Sequence, residues 1–99
     1  MKAIGAILPG VLRELKLDAA AAGWRAVAEW PSIAGERLAR RTRATGFREG
    51  VLTIEVEGSA WMHELGYLER DLVRRVNQHL GDEVVRRLRF ERNRGGNPR

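Results

Sequence analysis

The sequence contains no cysteine. That excludes disulfides and thiolate metal sites, and it leaves the redox compartment unmarked. Aromatic residues make up only 6%, so a surface that stacks many bases has little to draw on. The two histidines, His63 and His79, lie sixteen positions apart in one helical stretch, too far to share a ligand. His63-Glu64 also lacks the second histidine of a metalloprotease helix. Neither GxxxxGK[ST] nor GxGxxG occurs, so there is no phosphate loop. No apolar run is long enough to span a bilayer, and the N-terminus has no signal-peptide pattern. These absences lead us to expect a cytoplasmic protein that is not an enzyme, with no metal, cofactor, membrane contact or small-molecule substrate.

Ninety-nine residues, 43% hydrophobic and 31% charged, fit one soluble domain with a modest core. The most strongly patterned stretch is Val51 to Leu80. Leu52, Ile54 and Val56 alternate with Thr53, Glu55 and Glu57, the period of a half-buried strand. Gly58 breaks this pattern, and Ser59 is placed to cap a helix. Trp61, Leu65, Leu68, Leu72, Val76 and Leu80 then recur at three- and four-residue steps, the stripe of a long amphipathic helix. Trp61, which opens the stripe, is expected to anchor this helix on the sheet. Gly81 ends it, and Val84, Leu88 and Phe90 fit a further strand.

Before this stretch, Ile4, Ile7, Leu8, Val11, Leu12 and Leu15 form a helical stripe interrupted by Pro9. Asp18 is a plausible cap for a second helix through Ala19–Ala22, with Trp24, Val27, Ala28 and Trp30 on its apolar side. Pro31 marks a break or a new first turn. Thr42 to Phe47 reads as a weaker strand with a bulge at Gly46, and Arg48-Glu49-Gly50 as a hairpin connection. The expected fold is α+β, a two-layer sandwich in the order α-α-β-β-α-β, with helices on one face of a three-stranded sheet. Residues 1–92 form the domain, and 93–99 a short flexible basic tail. The expected core is Trp30, Leu52, Ile54, Val56, Trp61, Leu65, Leu68, Leu72, Val76, Leu80, Leu88 and Phe90, with Trp24 also packed inside.

Eighteen lysines and arginines against thirteen acids leave a net charge of +5, which favours a polyanionic or acidic partner. Only Lys2 and Lys16 are lysine, and arginine suits bidentate contact with phosphate or carboxylate. GC-rich coding also favours arginine over lysine, but it does not account for the excess of cations over anions. Arg37, Arg40, Arg41, Arg43 and Arg48 cluster around the end of the second helix and the first strand. Arg87, Arg89, Arg92 and Arg94 lie on the last strand and tail. These nine are the candidate nucleic-acid contacts. Binding through them would be dominated by phosphate and weakly sequence-specific. The competing reading is that Glu55 and Glu57 neutralise the strand arginines as cross-strand pairs. Tyr67, Met62 and the Trp30-Pro31 step are candidates for a protein interface.

Several segments resemble the DciA-like proteins. Trp30-Pro31-Ser32-Ile33-Ala34-Gly35 is similar to their W-x-x-[IV]-[VA]-G signature, and Gly50 to Val56 to their G-x-L-x-[IV]-x-V strand. Ser59-Ala60-Trp61-Met62-His63-Glu64-Leu65 resembles their S-x-W-x-x-E-L helix start. Asn77, Leu80 and Gly81 follow the helix end, with Val76 in place of Leu, and Val85 to Phe90 the closing strand. The resemblance implies a KH-like domain in a bacterial DNA-replication factor. It would bind the DnaB-type replicative helicase, assist its recruitment or loading, and make weak contact with single- or double-stranded DNA. The chain has no GxxG loop of the kind found in true KH domains, and only residues 93–99 stand where many relatives carry a long basic tail. The alternative is a KH-like RNA- or DNA-binding protein without a helicase partner.

Overall fold

A computed structural model of the chain describes residues 9–93. Ile4, Ile7 and Leu8 of the expected first stripe, and Arg94 with the rest of the expected tail, lie outside the described residues. The elements are α1 (Pro9–Ala28), α2 (Trp30–Ala34), α3 (Glu36–Ala39), β1 (Thr42–Arg48), β2 (Val51–Val56), α4 (Ser59–Leu80) and β3 (Arg87–Arg92). This is the expected α+β order, with the second helical unit divided into two short helices. The three strands lie in the order β1-β2-β3, β1 antiparallel and β3 parallel to the central β2.

The boundary between the first two helical units falls at Glu29, not at Asp18. α1 runs straight through Asp18 because Ala19–Ala22 is the strongest helix-forming run in the chain and nothing interrupts it. The break comes where Glu29 leaves helical geometry and Pro31 occupies the first turn of α2. Val11, Leu15 and Leu17 are exposed on the first half of α1.

The hairpin follows the expected turn chemistry. Arg48 pairs with Val51, leaving Glu49 (φ 49°) and Gly50 (φ 85°) as a two-residue connection. Two positive φ angles in succession match the right-handed twist of the strands it joins. The bulge also forms: Ala44 pairs with Ile54 and Gly46 with Thr53, so Thr45 is the extra residue. Ser59 does not cap α4. It is the first helical residue, and the turn before it is made by Gly58 (φ 92°), with no capping side chain.

Alternation buries one face of the sheet. Leu52, Ile54 and Val56 of β2 are fully enclosed, joined by Ala44 of β1 and Leu88 of β3. Trp30, Leu65, Leu72 and Val76 pack against them from the helical layer, while Leu68, Leu80 and Phe90 are partly buried. Trp61 is also only partly buried. It sits in the first turn of α4, where Ser59, Ala60 and His63 are exposed, and full burial begins at Leu65. Trp24 is 52% exposed, contrary to expectation. Gly23 and Ala26 of α1 are buried, which places Trp24 on the flank with its ring tip beside Gly46.

Asn77 joins α4 to β3. Its side-chain oxygen accepts from the Val84 and Val85 amides (3.0 and 2.9 Å), and its Nδ2 donates to the Val85 carbonyl (2.9 Å). Its backbone carbonyl receives the Gly81 and Asp82 amides, closing the helix at Gly81 (φ 79°). Val84 therefore belongs to the connection, and β3 starts at Arg87. The Leu88 amide, on the outer edge of β3, donates to Glu69 Oε2 of α4 (3.0 Å). Arg75 donates to the Ala34 carbonyl at the end of α2 (3.2 Å), and Arg74 pairs with Asp71 one turn back (2.9 Å).

α1 approaches β1 closely at Gly23, where a β-carbon would overlap the Phe47 ring. Gly66, on the exposed side of α4, has nothing within 4 Å. Both substitutions to alanine gain the same helix propensity, about 1 kcal/mol. Overpacking costs about 1–3 kcal/mol. Gly66→Ala should therefore raise stability by up to about 1 kcal/mol, and Gly23→Ala should lower it, with urea midpoints moving in opposite directions.

The ends of α1 and α4 meet at a second polar contact. His79 Nε2 lies 2.6 Å from Glu29 Oε1, and Arg25 contacts both Glu29 and the His79 carbonyl. The His79 ring above all, aided by Arg25 and opposed by some loss of hydration, holds the Glu29 carboxyl below the ordinary carboxylate range. A depressed carboxylate stabilises the fold above its unfolded pKa, and that contribution is lost as pH falls through the folded value. Glu29→Gln should remove this part of the acid limb in a stability–pH series and leave the rest of the profile in place.

Candidate interaction surface

The candidate arginines fall on two fronts. The first is built by α3. Gly35 (φ 93°) separates α2 from α3, and the Arg40 and Arg41 amides close that single turn onto Glu36 and Leu38. Glu36, Arg37, Arg40 and Arg41 lie on its exposed side, while Leu38 and Ala39 turn inward. The first turn of α4 brings Trp61 alongside. Together Glu36, Arg37, Arg40, Arg41 and Trp61 line an open groove of about 390 Å³.

A buried relay holds this front in place. Trp30 Nε1 donates to Thr42 Oγ1 (2.9 Å), which in turn donates to the Leu38 carbonyl (2.7 Å). The relay ties α2, the end of α3 and the start of β1 together, and so fixes the stem from which Arg37, Arg40 and Arg41 project.

The second front is the sheet face opposite the core. Arg48 pairs with Val51 and Val51 with Arg87; Thr53 lies beside Arg89; Arg43 lies opposite Glu55. Arg43, Arg48, Arg87 and Arg89 therefore share one face. Arg92 is exposed at the end of β3, in register with the buried Val56, and belongs to neither cluster.

The acids divide these arginines unequally. Glu55 and Glu57 pair with Arg43 and Arg41 (3.2 and 3.1 Å), so they neutralise the β1 side and leave the β3 arginines. Arg89 contacts its strand neighbour Glu91 (3.3 Å), and Arg87 lies 3.8 Å from Glu69. Arg40 pairs with Glu36 one turn back (2.9 Å). All are solvated pairs, worth about 0–1 kcal/mol each. Arg37, Arg48 and Arg92 make no ion pair or side-chain hydrogen bond among the described residues.

Tyr67 is 77% exposed on α4 and stacks edge-on with His63, ring centroids 5.3 Å apart. Of the other candidates for a protein interface, Trp30 is buried, Met62 is partly buried and Pro31 is exposed. The sequence reading missed Trp61 as a wall of the groove. The available signal was its place at the first step of the stripe, where no preceding turn of the helix lies beside it. Among the described residues, no group of three or more histidines and acids could hold a metal ion. No described helix is long and apolar enough to cross a membrane.

These features define a small α+β fold that presents arginine on two fronts, a groove at α3 and the open face of the sheet. A family model described as "Dna[CI] antecedent, DciA" matches residues 3–90. The chain belongs to the DciA family. A UPF0232 protein of Streptomyces avermitilis is 34% identical over 91 residues, covering 90% of this chain and 50% of that protein. Relatives in Rhodococcus jostii (31% identical, 62% of this chain and 32% of the relative) and Mycolicibacterium smegmatis (27%, 88% and 45%) carry the same UPF0232 name. The chain thus spans half the length, or less, of these curated relatives.

The relay gives a direct test of how the α3 front is held. Thr42→Val preserves shape but leaves the buried Trp30 N–H without an acceptor. The expected loss is about 1–3 kcal/mol, measured by urea denaturation. The Trp30 emission should also shift as its hydrogen bond disappears.

Proposed function

We propose that this chain acts without catalysis of its own as a bacterial replication factor. It binds the DnaB-type replicative helicase directly and assists its recruitment or loading on DNA, with weak, sequence-tolerant nucleic-acid contact. The observation that carries the proposal is the family match across residues 3–90. DciA proteins are DnaB-associated replication factors at the level of the family, and the match takes in residues 3–90 of the ninety-nine given.

The physical chemistry narrows the mechanism. The sequence has no phosphate loop, so this chain has no ATP cycle of its own with which to open a helicase ring. It acts by binding one helicase state more tightly than another, and the helicase shifts towards that state only by the difference in affinity. Linkage requires the same factor in return: the chain binds more tightly when the helicase holds DNA. Arg37, Arg48 and Arg92, unpaired among the described residues, also suit the second reading, a nucleic-acid-binding protein with no helicase partner.

Calorimetry with purified host helicase, with and without single-stranded DNA, separates these readings. The expected result is direct binding that tightens about 5–150-fold when DNA is present. No binding at tens of micromolar in either condition would overturn the helicase reading. Binding indifferent to DNA would retain the partner and remove the mechanism.

A further inference from the structure

The groove between α3 and α4 combines two kinds of recognition. Three of its five lining residues are arginines and one is the partly exposed indole of Trp61; the only acid is Glu36. Arg37 makes no ion pair among the described residues. Among the described residues, Arg40 and Arg41 are held by exposed pairs with Glu36 and Glu57, which an incoming phosphate can replace. A volume of about 390 Å³ lies at the small end of ligand sites, sized for one nucleotide.

From this we infer that the groove takes a nucleotide of a single-stranded nucleic acid, its base against Trp61 and its phosphates on Arg37, Arg40 and Arg41. The inference deepens the nucleic-acid part of the proposed function and rests on that reading. An indole recognises a base by its flat face, which an unpaired strand offers and a duplex keeps inside its stack. Guanidinium groups bind the flanking phosphates without regard to sequence. The open sheet face, by contrast, has Arg43, Arg48, Arg87 and Arg89 but no aromatic among them. It would meet single and double strands alike.

The test uses fluorescence anisotropy of the full chain. The probes are labelled oligothymidylate and oligouridylate of about twelve nucleotides and a duplex of equal length. Trp61→Leu keeps an apolar side chain at the helix start and removes the aromatic face. It should weaken binding of the single strands about 5–100-fold and leave duplex binding unchanged. Arg37→Ala should reduce the log–log salt slope for the single strands by about 0.7. Equal losses on oligothymidylate and oligouridylate would show that the groove ignores the 2′-hydroxyl, whereas a loss confined to one would assign the strand as DNA or RNA.

Should Trp61→Leu fail to fold, fluorescence supplies the same answer. Trp30 is 1% exposed, so in Trp24→Phe the quenchable emission belongs to Trp61. Oligothymidylate should quench it and the duplex should not. Unchanged single-strand affinity in Trp61→Leu, equal losses on duplex and single strand, or unquenched emission would each overturn the inference. So would loss of helicase binding with strand affinity intact, which would make the groove a protein contact. A wild-type chain that binds helicase but no strand ends the groove inference alone. One that binds strands through the groove but no helicase ends the helicase reading alone.

Discussion

The buried relay from Trp30 through Thr42 to the Leu38 carbonyl is the constraint on which the α3 arginine front depends. α3 is one turn long and has no fully buried side chain. Left to its own propensity, a helix that short does not persist in water. The Thr42 hydroxyl fixes its end by accepting from the largest fully enclosed side chain in the core and donating to the Leu38 carbonyl of α3. Thr42 is 8% exposed, so each bond lies where an unmade partner is costly. The same bonds set the first residue of β1, and with it the alternation that sends Arg43 outward and Ala44 inward.

Charge is arranged by register more than by proximity in sequence. Glu55 lies on the central strand with Arg43 on one side and Glu91 on the other. It therefore has one attractive neighbour and one repulsive one, and its Oε1 accepts from Arg43 (3.2 Å) and from Asn93 Nδ2 just past β3 (3.3 Å). Arg89 is left to Glu91 on its own strand, and Arg87 to Glu69 of the helix above. Among the described residues, Arg48 at the hairpin end of the open face and Arg37 on α3 are left without an acidic partner. Arg86 joins the hairpin end, donating to the Glu49 carbonyl (2.8 Å).

Much of the fold is legible in the sequence where two independent signals agree. Period-two alternation and the Gly50 and Gly58 breaks together place β2, and a long stripe ending at Gly81 places α4. The signals fail where one residue type serves two outcomes. Asp18 caps helices when the preceding chain is extended, but within a continuous helix-forming run it is a surface residue. Trp24 and Trp61 both lie on apolar stripes, yet one is on the flank of α1 and the other at the open end of α4. Stripe membership gives a direction around the helix axis and says nothing of what covers that direction. The groove was half legible: its arginines follow from spacing in α3, whereas the arrival of Trp61 beside them depends on how α4 crosses the sheet. Neither the competition for Glu55 nor the role of Asn77 can be read before the strands are in register.

β3 forms an outer edge of the sheet, and its Leu88 amide points away from β2. A backbone donor left open on such an edge invites a strand from a neighbouring molecule. Glu69 occupies that donor from above, and its charge stands beside the place where another backbone would have to lie. The acid thus guards this edge as well as joining the two layers. Glu69, reaching down from the opposite layer, sets one carboxylate against the edge along which a second strand would have to pair.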